Sequence, residues 1–141
     1  MKSRITTELE RIRRVRGGLL RPEDVVKAAR PKNSPLHNKF CWDDSEATHQ
    51  YRLWQARELI VSVVVVEPQS KRTIQAYVSM PSDRKQPAGG YRSTIDVLSN
   101  DEMREQALAQ AKRELTIFRD KYRQLQELAE VLTAIDKLHV A

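Results

Sequence analysis

The chain has 141 residues, 40% of them hydrophobic and 31% charged, with a formal net charge of +6. That length suits about one domain able to bury a core without covalent staples, and the single cysteine, Cys41, excludes an intramolecular disulfide or a thiolate metal cluster. No apolar run approaches the roughly 18–20 residues of a membrane span and no apolar N-terminal stretch suits a secretory signal, so the expected setting is the cytoplasm, with no membrane partner.

The charge is uneven. Residues 1–39 hold 11 Lys/Arg against 4 Asp/Glu, while residues 40–141 hold 14 against 15. A basic arm on a near-neutral body is a footprint of phosphate binding, because each neutralised phosphate releases counterions; a solvated basic face that aids solubility is the alternative.

Residues 3–16 read as a short amphipathic helix. Ile5, Leu9, Ile12 and Val15 recur at helical spacing, while Arg11, Arg13, Arg14 and Arg16 fall mostly on other faces. With Lys2 and Arg4 these make the most concentrated basic segment of the chain, and Gly17-Gly18 stops it. Such a helix either docks on the body or orders against a polyanion. Pro22-Glu23-Asp24 starts a second helix that ends before Pro31, and Ser34-Pro35 opens a short helix through about Phe40. Asp43 or Asp44 is the expected cap of a third helix, over about 44–59, with Glu46 in its first turn. Ala47, Tyr51, Trp54 and Leu59 are its expected inner face, with Trp42, Tyr51 and Trp54 as the aromatic centre of the core.

A β-branched strand is expected over 60–66 and a second over 73–80, joined through Pro68-Gln69-Ser70-Lys71 as a hairpin. A polar loop over 81–90 and a short extended or helical connector over 91–98 follow. From about Asp101 the pattern becomes one long amphipathic helix to Leu138, capped by Ser99 or Asn100. Its seam is Leu108, Ala111, Leu115, Phe118, Tyr122, Leu125, Ala129 and Leu132, at alternating spacings of three and four, and it shifts face at Asp136. Such a helix would be about 57 Å long, against a radius of gyration of about 14 Å for a chain of this size. It is therefore expected to protrude or to pair with another chain, most simply as a homo-oligomer. The expected class is α+β and mostly helical: a basic N-terminal arm (1–18), a three-helix core with a β-hairpin (19–98) and a long oligomerisation helix (99–141).

Helix, short helix, helix, hairpin is the order of a winged-helix core. On that reading Gln50 and Arg52 reach bases, and Lys71 and Arg72 at the wing tip join Arg11, Arg13, Arg14 and Arg16 on phosphates. Asp43, Asp44 and Glu46 stand against it, at the helix end that would meet the phosphates. Arg84, Lys85 and Arg92, with Tyr91 to stack, form a second basic patch. His37, Asp43, Asp44 and His49 match no familiar ligand spacing, and His139 lies at a terminus. No nucleophile elbow, phosphate-cradling Gly loop or C-x-x-C occurs, so no catalytic residue, metal, cofactor or small-molecule substrate is assigned, and Cys41 reads as a small core residue.

Three stretches carry a resemblance. They are Leu20-x-Pro22-Glu23-x-Val25-Val26-x-x-Ala29-Arg30, then Ser34-Pro35-Leu36-His37-x-x-Phe40-x-Trp42-Asp43-Asp44, then Tyr51-Arg52-x-x-Gln55-Ala56-Arg57-x-Leu59-Ile60. With Tyr77-Val78-Ser79, Gly90-Tyr91-Arg92 and the long helix, residues 20–136 resemble a family of small phage- and prophage-borne proteins. The resemblance implies a phage or prophage setting, in the bacterial host cytoplasm or with the virion, and no mechanism; the arm lies outside it. The expected function is therefore non-enzymatic DNA binding by a self-associating phage protein. The alternative is a structural or adaptor protein whose long helix binds another protein.

Overall fold

The computed structural model describes residues 3–43, 45–86 and 89–138. The expected cap Asp44, with Lys2 and His139, lies outside the described residues, as does the side chain of Glu46. The protein is mostly helical, with two small antiparallel sheets. It divides into two units, Met1–Leu98 and Ser99–Ala141.

The first unit opens with α1 (Arg4–Val15), capped by the Ser3 hydroxyl, which accepts from the Thr6 amide at 3.1 Å. Gly17, at φ +76°, ends it. The Gly18 amide returns to the Arg13 carbonyl at 2.8 Å and the Gly17 amide to that of Arg14 at 3.3 Å, a Schellman closure that needs a left-handed residue. α1 is part of the body: Leu9 is fully buried and Ile12 nearly so. α2 (Pro22–Ala29) buries Val25, Val26 and Ala29 and packs between α1 and α3 (Glu46–Ser62). The short helix expected after Ser34 is a single 3₁₀ turn, His37–Lys39.

α3 differs from expectation in three ways. Its cap is Ser45, whose hydroxyl accepts from the Thr48 amide. It runs through Ser62, so Ile60 belongs to the helix and not to a strand; Leu53, Ala56 and Ile60, at helical spacing, are its buried stripe. That burial outweighs the β-preference of the 60–63 segment. The third difference is orientation. Ala47, Tyr51 and Trp54 face outward, the two aromatics about half exposed, and stack at 5.6 Å between ring centroids. Apolar residues occur all around this helix, so spacing alone does not choose its inner side. Of the three aromatics expected at the centre, only Trp42 packs against the core, and Leu59 is half-buried there.

The expected hairpin is split. β1 (Val64–Val66) pairs with β2 (Thr73–Gln75), whereas β3 (Tyr77–Val78) pairs with β4 (Arg92–Ser93). Ala76 is the pivot: its amide donates to the Val63 carbonyl and its carbonyl accepts from the Thr94 amide, both at 2.9 Å. The alternation expected over 73–80 breaks at Ala76 and Tyr77, both buried, where the chain passes from one sheet to the other. α4 (Pro81–Arg84) starts inside the expected loop, and α5 (Thr94–Ser99) follows β4. Gly90, at φ +135°, sits where a Cβ would stand 2.6 Å from Leu19 Cγ, so the chain passes there only without a side chain. Next to it, Leu20 and Tyr91 exchange backbone hydrogen bonds of 2.7 and 2.8 Å.

The second unit corrects the single long helix. α6 (Asp101–Tyr122) is capped by Asn100, whose Oδ1 accepts from the Met103 amide at 3.0 Å. It stops at Tyr122, Leu125 turns extended (φ −83°, ψ 103°), a 3₁₀ turn covers Gln126–Leu128, and α7 (Ala129–Leu138) packs back on α6. Arg119 donates to Asp136 at 2.8 Å; the same residues on a straight helix would stand about 25 Å apart. No glycine or proline marks the break. Packing drives it: an extended helix would leave Leu132 and Ile135 in water, and both are buried here, worth about 1.5–3 kcal/mol for each side chain covered.

Candidate functional site

The structure sorts the eight residues expected at nucleic acid into three groups. Arg52 is a correction. It is 4% exposed; its Nε donates to the Cys41 carbonyl at 2.6 Å, its Nη2 donates to the Asp43 carbonyl, and its guanidinium lies 5.0 Å from the Trp42 ring centroid. It braces the segment before α3 and reaches no surface. Arg13 is a second correction. Its guanidinium is held by Glu10 at 2.9 Å and Asp96 at 3.3 Å. Tyr77 adds a hydroxyl donated to Glu10 at 2.7 Å; burial first, and then that carboxylate, pushes the phenol pKa up. The network ties α1 to the end of the unit.

Arg11 and Arg16 remain at the surface, each facing a carboxylate. Arg11 meets Glu8 at 2.5 Å and Arg16 meets Asp24 at 3.5 Å. Four residues of this arm thus leave far less free positive charge than their count suggests. Arg14, Gln50, Lys71 and Arg72 are exposed. Lys71 and Arg72 stand at the β1–β2 turn, where Lys71 adopts φ +60° and the Glu67 carboxylate accepts from the Ser70 amide at 2.6 Å and the Gln69 amide at 3.2 Å. The Ser70 hydroxyl, then those amides, hold the Glu67 carboxyl below its usual range. The second basic patch is also partly internal: Arg92 grips the buried Asp83 through Nε at 2.7 Å and Nη2 at 2.8 Å, and Arg84 donates to Ser79.

His37 is engaged structurally. Its Nδ1 donates to the Ala29 carbonyl at 2.9 Å and its ring stacks on Trp42 at 5.0 Å and 8°. The Trp42 indole donates to the His37 carbonyl at 2.8 Å. Cys41 is exposed and not a core residue. Among the described residues no three His, Cys, Asp or Glu side chains are grouped to hold a metal ion, and no helix is long and apolar enough to cross a membrane.

The exposed apolar surface is what sequence reasoning placed least well. On the first unit it includes Tyr51, Trp54 and Val61 along the outer face of α3, and Val64 and Val66 on β1, with Val15 and Leu98 standing apart at the ends of α1 and α5. On the second unit the expected seam is divided. Leu108 (56% exposed), Ala111, Leu115, Phe118 (39%) and Tyr122 share one face of α6, with Leu115 and Tyr122 half-buried and the Phe118 and Tyr122 rings 4.9 Å apart. Leu125 lies in the break and Ala129 beyond it, both exposed, and Leu132 is buried on α7 and not available to another chain. The face change at Asp136 was the one signal of this division in the sequence. No protein-family model, curated protein or solved structure matches the chain.

Proposed function

We propose that this protein is a non-enzymatic, self-associating adaptor, in which the α6 face carrying Leu108, Ala111, Leu115, Phe118 and Tyr122 pairs with a second copy. The observation that carries this reading is the exposure of Leu108 and Phe118 on a seam of regular heptad spacing. Large apolar side chains in register cover one another when two such faces meet. Sedimentation of the full chain tests it: Leu108→Glu with Phe118→Glu is expected to convert oligomer to monomer with an unchanged helical circular-dichroism signal. A parent chain that is monomeric at high micromolar concentration overturns it. The phage or prophage setting is proposed on the sequence resemblance alone.

DNA binding is the second reading, supported by the exposed Arg14, Lys71, Arg72 and Gln50. With four such residues in place of eight, the expected affinity is weak and falls steeply with salt. Absence of duplex binding at low salt removes this reading and leaves the adaptor intact; binding that survives alanine at Arg14, Lys71 and Arg72 moves the contact to other residues.

A further inference from the structure

Among the described residues β1 has a partner on one side only. The Val63–Ala76 and Glu67–Arg72 pairs carry ladder hydrogen bonds of 2.9 and 2.8 Å, so the alternation of an antiparallel ladder turns the N–H and C=O groups of Val64 and Val66 away from β2. Proteins ordinarily blunt such an edge with a lysine, a proline or a bulge. Here it is three valines, and Val64 and Val66 are more than half exposed.

A groove of about 700 Å³ runs beside this strand. Val64, Val65 and Val66 all line it. Successive side chains leave a strand in opposite directions, so a cavity touched by all three reaches the strand's edge; Thr73 of β2 lines it as well, so it also extends over the face that Val66 and Thr73 share. Ile5 and Thr6 of α1 and Lys39 line it from outside the hairpin. Lys39 is the one charged side chain of the lining; it is exposed and joins no ion pair among the described residues.

We propose that this groove binds an extended segment of another protein, added to β1 as a third strand, in which apolar residues alternate with carboxylates. Unpaired backbone groups specify an extended partner, the valines and Ile5 take its apolar side chains, and Lys39 takes a carboxylate. A second copy of β1 is a poorer occupant. Its own strand offers three valines and no acid, and the neighbouring Glu67 carboxylate is engaged by the amides of Gln69 and Ser70. The proposal names a partner for the adaptor reading but stands on the other unit, so loss of the α6 seam leaves it untouched.

The test is an NMR titration of the uniformly ¹⁵N-labelled full chain with three synthetic octapeptides, alternating Val with Glu, Lys or Gln. The Val/Glu peptide is expected to shift the Val64 and Val66 amides and slow their hydrogen exchange, with the Val/Gln peptide weaker and the Val/Lys peptide weakest. Lys39→Glu should weaken the Val/Glu peptide about tenfold and strengthen the Val/Lys one. Val66→Pro removes one outward N–H and should abolish the response; Lys39→Glu keeps the question decidable if that variant does not fold. No response to the Val/Glu peptide at millimolar concentration overturns the proposal, as does indifference to peptide charge. Concentration-dependent protection of Val64 and Val66 without any peptide assigns the edge to a second copy and also overturns it.

Discussion

The two units use the same kinds of residue in opposite ways. In the first, charged side chains are drawn inside: Arg52 among backbone carbonyls, Asp83 under Arg92, and Arg13 between Glu10 and Asp96. In the second, Arg119 is largely covered but both of its partners, Asp120 and Asp136, are exposed, while Leu108, Ile117 and Phe118 stand in water. A high arginine count therefore means different things in the two places. In the first unit Arg52 is buried and Arg13, Arg21 and Arg92 are partly covered, while the other eight arginines remain exposed.

The contrast can be broken at its strongest point by Arg92→Ala, which leaves Asp83 buried without its cation. A loss of about 3–5 kcal/mol is expected, read by urea denaturation, and Asp83→Ala with Arg92→Ala together should recover part of it. Ile135→Ala is the counterpart in the second unit. At about 2–4 kcal/mol it should release α7, seen as faster amide exchange over 129–138, while the first unit's melting is unchanged. Coupled melting of both units would mean that they are not separate in energy. Arg52→Ala removes the donor to two carbonyls and is expected to cost about 2 kcal/mol; a cost below about 0.5 kcal/mol, the level of an ordinary surface change, would put Arg52 with the exposed arginines.

The smallest effect is a pH dependence. The Tyr77 phenol is raised in the folded chain, so its contribution is fully present below the unfolded value near about 10. That contribution is lost as pH rises above it, because only the unfolded chain then ionises readily. Tyr77→Phe should flatten this alkaline loss and cost about 1 kcal/mol at neutral pH. An unchanged alkaline limb would mean that another group sets it.

Local signals were readable where one residue type suffices. Gly17, Pro22 and Asn100 mark helix ends in the sequence and do so in the structure. Faces and breaks were not readable, because they depend on partners distant in the chain. Tyr51 and Trp54 look like core residues by type, yet Leu53, Ala56 and Ile60 complement α2 better. Residues 123–128 include Gln124, Gln126 and Leu128, good helix formers, so nothing local announces that α6 ends; the gain lies in Leu132 and Ile135, ten and more residues beyond. Of the expected binding residues, spacing correctly placed Lys71 and Arg72 at a turn. Spacing could not register that Glu10 and Asp96 would claim Arg13.

The Glu10–Arg13 network also sets an order of events while the chain is being made. Arg13 lies 83 residues before Asp96, and Glu10 lies 67 before Tyr77. At a translation rate of roughly 5–20 residues per second, α1 leaves the ribosome about 4–17 s before its last partner exists. Arg119 and Asp136 are 17 residues apart, an interval of about 1–3 s at the same rate. α1 thus waits far longer for its contacts than α6 waits for α7, and the α6–α7 pair can close almost as soon as it emerges.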